Sequence, residues 1–77
     1  MNIQAILDTP IVGNAGSDQQ LMNRIHNFLV GDNPIDQQIK ALQKLDEVMG
    51  LGTADQITAK SIQEYQENHR LLRNHPE

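Results

Sequence analysis

Three helix-opening signatures, each standing just behind a glycine, punctuate this 77-residue chain and leave little freedom in what it can fold into. Gly16 precedes Ser17-Asp18-Gln19-Gln20, Gly31 precedes Asp32-Asn33-Pro34, and Gly52 precedes Thr53-Ala54-Asp55-Gln56. In each case a side chain able to satisfy free amides stands before apolar residues that repeat at helical spacing. The pattern predicts an all-α fold, a small three-helix bundle with helices over 17–31, 33–49 and 53–73, and a short N-terminal helical arm and loop over 1–16.

Within the arm, Ile3, Ile6 and Leu7 stand at i, i+3 and i+4, and Thr9-Pro10 ends the helix because a residue before proline is pushed out of the α region. Ile11 and Val12 are expected to pin the following loop onto the core. In the first main helix the Ser17 hydroxyl is expected to cap the Gln20 amide, with Gln20 reaching back. Leu21, Ile25, Phe28 and Leu29, flanked by Met22, form its buried stripe, and Gly31 occupies the position where a left-handed residue closes a helix.

Pro34 suits the first turn of the second helix, with Asn33 or Asp32 as cap. Ile35, Ile39, Leu42, Leu45 and Met49 then describe a narrow apolar seam, opposite a solvated face of Gln37, Lys40, Gln43, Lys44 and Glu47. Gly50-Leu51-Gly52 breaks the helix, and Leu51 is expected to fold back over the core. The third helix, stopped by Pro76, carries a weaker stripe of Ala54, Ile57, Ser61 or Ile62, Tyr65, His69 and Leu72. If it begins at Thr53 it outreaches its neighbours by about two turns.

So small a chain has to be held by packing, since it contains no cysteine for a disulfide. Phe28 and Tyr65 are its only aromatics, so Ile, Leu, Val and Met must fill the core. Sixteen residues are Asn or Gln, which keeps the surface polar although only 21% are charged. The net charge of −4 repels phosphate, and Arg24, Lys40, Lys44, Lys60, Arg70 and Arg73 are spread along the chain; both facts disfavour nucleic acid as a partner. Residues 1–16 lack the pattern of a secretion signal and no apolar run is long enough to span a bilayer, so a cytoplasmic location is expected.

The stretch from Leu45 to Gly52 resembles the corner of a helix-turn-helix, but Asp46 stands where a small residue is needed, and the following helix offers only Asp55, Gln56 and Lys60 for reading bases. Gly50-Leu51-Gly52 also resembles the turn of helix-hairpin-helix proteins, without the flanking basic residues, since none lies between Lys44 and Lys60. Met49-Gly50-Leu51 is similar to the loop of ubiquitin-associated domains, without their third-helix leucine pattern. An interhelical turn accounts for all of it.

No catalytic, metal or cofactor site is expected. His69 and His75 are six apart, on different helical faces, whereas paired ligands need a spacing of three or four; His26 reads as a residue at the edge of the core. Ser17 and Thr53 read as caps, and Asp46 with Glu47, and Glu64 with Glu67, as carboxylate pairs on wet faces. The remaining candidate is the end of the third helix, where Tyr65, His69, Arg70, Leu72 and Arg73 combine residue types enriched at protein interfaces. The expected function is a non-enzymatic protein-binding module whose partner is another protein or a second copy of the chain, the alternative being a nucleic-acid binder that uses the third helix.

Overall fold

A computed structural model describes the backbone of residues 2–73 and the side-chain surroundings of residues 2–69. It contains α1 (Ile3–Asp8), α2 (Ala15–Val30), α3 (Ile35–Met49) and α4 (Ala59–Arg73), with a 3-10 turn at Ala54–Gln56 and no strand among the described residues. The small all-α bundle is therefore the observed fold. α3 is its centre, packing against α1, α2, α4 and the 3-10 turn, while α1 and α4 each also lie against α2.

Ile6, Leu21, Ile25, Phe28, Leu29, Ala41 and Ile62 form one buried cluster, with Ile3, Ile39, Leu42, Leu45, Val48 and Tyr65 packed around it. The stripe expected on α2 is thus the core. Ile6 brings α1 into the same cluster, although a helix of 6 residues has little stability of its own. Its ends are tied instead: the Asn2 side chain accepts from the Ala5 amide at 2.9 Å, the Thr9 hydroxyl donates to the Ala5 carbonyl at 2.7 Å, and Lys44 of α3 donates to the Leu7 carbonyl at 3.2 Å. The Lys44 contact sets a cation against the negative end of the helix.

Several local expectations are corrected. α2 begins at Ala15 because Asn14, not Ser17, is its cap; the Asn14 Oδ1 accepts from the amides of Gly16 and Ser17 at 3.0 and 3.1 Å. Pro34 occupies the cap position of α3 rather than its first turn, and makes no side-chain cap. Ile11 and Val12 are exposed, so they do not pin the loop. Of the expected α3 seam, Ile39, Leu42 and Leu45 are partly buried, whereas Ile35 and Met49 are exposed and Gln38, Ala41 and Asp46 lie deepest. A helix covered from several directions buries more than one narrow stripe.

The third helix also starts later than expected. After the 3-10 turn the backbone extends at Ile57, and the Ser61 hydroxyl accepts from the Thr58 amide at 3.1 Å, so α4 opens at Ala59. This is the reaching-back half of a capping box. Within the described residues α4 spans 15 residues, as α3 does, and its start at Ala59 takes away the first six residues, from Thr53, on which the expected overhang rested. Pro76 lies outside the described residues.

The reversal from α2 to α3 rests on hydrogen bonds rather than on a left-handed glycine. Gly31 has φ −85°, an ordinary angle, and a Cβ there would stand a tight 3.2 Å from the Asn27 carbonyl oxygen and 3.2 Å from the Asn33 side chain. The last carbonyls of a helix have no partner within it. Here amide side chains supply one: Asn33 donates to the Phe28 carbonyl at 2.8 Å, Gln66 of α4 to the Leu29 carbonyl at 3.0 Å, and Gln38 of α3 to the Leu29 and Gly31 carbonyls at 3.2 Å each.

Gln38 is only 4% exposed, so its substitution probes this clasp directly. Gln38→Glu keeps the shape but turns a donor into an acceptor and sets a negative charge against the negative end of α2. Urea denaturation at neutral pH is expected to show a loss of roughly 3 kcal/mol. The deficit relative to wild type should narrow as the pH is lowered through the carboxylate range, because a protonated carboxyl donates again.

Candidate functional site

The C-terminal end of α3 is shaped by a set of short-range hydrogen bonds. Gly50, with φ 69°, adopts the left-handed conformation; its amide donates to the Glu47 carbonyl at 3.1 Å and the Leu51 amide to the Asp46 carbonyl at 3.2 Å, the paired closure of a Schellman motif. The chain then returns along α3. The Asp46 carboxylate accepts from the Thr53 amide at 3.0 Å and from the Thr53 hydroxyl, and Gln43 donates to the Ala54 carbonyl at 3.3 Å. Asp46 is therefore buried, not wet as expected, and Thr53 serves as its partner rather than as a helix cap.

Between α3 and this returning segment lies a groove of about 210 Å³, lined by Leu42, Leu45, Asp46, Met49, Leu51, Thr53 and Ile57. Leu42, Leu45, Asp46 and Met49 stand at i, i+3, i+4 and i+7, one face of a helix. Leu51 and Ile57 form the other wall. Met49 is 55% and Leu51 59% exposed, against the expectation that both would be buried. The glycine turn carries Leu51 past the end of α3, so it borders the groove instead of closing the core.

A second cluster joins α2 to α4. The His26 Nδ1 and the Tyr65 hydroxyl share a hydrogen bond of 2.7 Å, and the His69 Nδ1 lies 2.8 Å from the Tyr65 carbonyl oxygen. Because a carbonyl only accepts, that His69 nitrogen carries the hydrogen. The Tyr65 and His69 rings stack with centroids 3.9 Å apart, and the His26 ring is 4.7 Å from that of His69. Burial raises the pKa of the Tyr65 phenol, since the phenolate would lose water that the neutral form needs less.

Of the residues expected at a partner surface, Tyr65 and His69 are thus half-buried and engaged with each other and with His26. Arg70, Leu72 and Arg73 belong to α4 by their backbone, while their side chains lie outside the described residues. The pairing of His26 with Tyr65 spans 39 residues and has no periodic trace in the sequence. The groove could have been suspected from Leu51, an apolar side chain between two turn glycines.

Among the described residues no group of three or more His, Asp or Glu side chains is arranged to hold a metal ion. Asp46, the buried acid of the groove, has both carboxylate oxygens engaged by Thr53. A more open depression of about 540 Å³ lies along α4, lined by Lys60, Gln63, Glu64, Glu67 and Asn68. No helix among the described residues is long and apolar enough to cross a membrane.

Compared with known proteins, the chain matches no family model, no curated protein and no solved structure. The site therefore stands on its own geometry.

Tyr65 is the sole tyrosine, so its ionisation can be followed by tyrosinate absorbance without interference. The midpoint is expected above the ordinary 10.0. The folded phenol holds its proton more tightly than the unfolded one, so its stabilising effect is complete below pH 10.0 and is lost as pH rises through the folded value. In Tyr65→Phe that alkaline component of the stability loss should be absent.

Proposed function

We propose that this chain is a non-enzymatic protein-binding module that engages its partner through the groove at the end of α3. The observation that supports this reading is the exposure of Met49 and Leu51 on the walls of a groove whose backbone is already held in place. Scattered apolar residues on a surface need no explanation, whereas several gathered in a concave and rigid setting resemble an anchor pocket. A preformed site also spares a partner the cost of ordering a loop.

The groove is small for a metabolite or cofactor, which ordinarily occupies ~300 Å³ or more. It can receive one or two apolar side chains of another protein. Nucleic acid is the weaker reading on charge, because the net −4 opposes phosphate and no Lys or Arg lies between residues 44 and 60.

Affinity capture with wild type, Met49→Glu, Leu51→Glu and Leu72→Asp distinguishes the surfaces. The two groove variants are expected to lose the captured partner while keeping the helical circular dichroism of wild type, since both side chains are exposed in the free chain. Leu72→Asp should retain it. Loss with Leu72→Asp alone, together with a lower sedimentation mass, would move the interface to the end of α4 and make it self-association. Low-salt filter binding to nucleic acid that weakens steeply as salt is added would favour the alternative.

A further inference from the structure

The arm formed by α1 is complete in itself. Its bonds from the Ala5 amide to Asn2, from the Thr9 hydroxyl to Ala5 and from Gln4 to Asp8 all lie within residues 2–9, so they travel with the arm wherever it goes. Its attachment to α2 and α3 is slight. Ile6 is wholly buried in the core cluster with Ile3 packed beside that cluster, and among the described residues one hydrogen bond crosses the contact, from Lys44 to the Leu7 carbonyl.

The segment that follows is unfastened. Pro10, Ile11, Val12 and Gly13 are all exposed, and none of them makes a hydrogen bond among the described residues. Order resumes at Asn14, the cap of α2. Ile11 and Val12 are 37% and 58% exposed, although β-branched residues suit an extended strand whose side chains are covered. Folding of the single chain leaves that pair unused.

Two copies can trade arms without losing packing, because every contact between α1 and the other helices is available, residue for residue, from a second chain. The balance then passes to the linkers. A short linker holds the arm near its own seat at an effective concentration on the order of millimolar, which by itself favours the closed single chain. Exposed Ile11 and Val12 act the other way: two extended linkers lying side by side bring these side chains together out of water.

We infer that α1 is an exchangeable arm: two copies of this chain form a dimer in which each α1 seats against α2 and α3 of the other, and the two linkers pair through Ile11 and Val12. The groove at the end of α3 takes no part, so this stands or falls separately from the protein-binding reading above.

The test is to refold the full-length chain from urea at roughly 1 mM, near the effective concentration such a linker sets, and to measure its mass by light scattering and sedimentation. A dimer is expected. In a dimer made from equal parts of isotope-labelled and unlabelled chain, filtered nuclear Overhauser spectra should connect the Ile6 methyl groups of one copy to buried side chains of α2 and α3 in the other. The double variant Ile11→Ser, Val12→Ser keeps the linker length and touches no core residue, so the monomer should keep its resistance to urea while the dimerisation constant falls about tenfold or more. Leu51→Glu should leave the dimer unchanged.

A chain that stays monomeric after refolding at that concentration would overturn the inference. So would a dimer whose Ile6 contacts all lie within one copy, or one that is undiminished in the linker variant. A dimer dispersed by Leu51→Glu would also overturn it, and would place the contact in the groove.

Discussion

The carbonyl end of α2 is where the bundle is joined. A helix terminus that faces its neighbours rather than water must have its free carbonyls satisfied, and α2 has neither a basic side chain in its last turn nor a left-handed glycine after it. Asn33, Gln38 and Gln66 take that role, one from the connection, one from α3 and one from α4. The Leu29 carbonyl alone receives both glutamines. One backbone oxygen thus helps fix the positions of two helices relative to a third.

Polar contacts of this kind recur because the apolar core is small. Among the described residues seven make up the buried cluster, and only Phe28 of these is aromatic. Hydrogen bonds between buried groups add little net stability each, but leaving a partner unmatched is costly, so they select one arrangement of the helices over near alternatives. Asp46 acts similarly at the far end of α3, where its carboxylate holds Thr53 and so the returning segment. The groove is a consequence. Because the turn is held by hydrogen bonds, Met49 and Leu51 are not required for packing and remain at the surface.

How much of this was legible in the residues depends on the kind of interaction. Leu21, Ile25, Phe28 and Leu29 are buried as their spacing predicts, since a helix lying against a single core shows its buried stripe directly. The same reasoning misplaced Ile35, Met49 and Leu51. Periodicity says which side chains share a face, but not how far along the helix its neighbours reach. It also gave Ser17 the cap that Asn14 holds, since both residue types favour that position and only the loop's path decides between them. Asp46 was expected to be wet, and Gln38 belonged neither to the expected seam nor to the expected solvated face. Their burial depends on carbonyl and amide groups brought close by the tertiary fold, which leave no mark in local sequence. For the functional region, Tyr65 and His69 were expected at a partner surface and are half-buried against each other and His26, a link 39 residues long that local sequence does not record.

The single arrangement of α2, α3 and α4 depends on the way they are clasped at the Leu29 carbonyl. A double-mutant cycle on Gln38→Met and Gln66→Met, read by urea denaturation, tests the clasp most directly. Each single change leaves the Leu29 carbonyl with one donor, whereas the pair leaves it with neither, so the double loss should exceed the sum of the single losses by about 1 kcal/mol or more. Strict additivity, or a double variant as stable as wild type, would contradict the account.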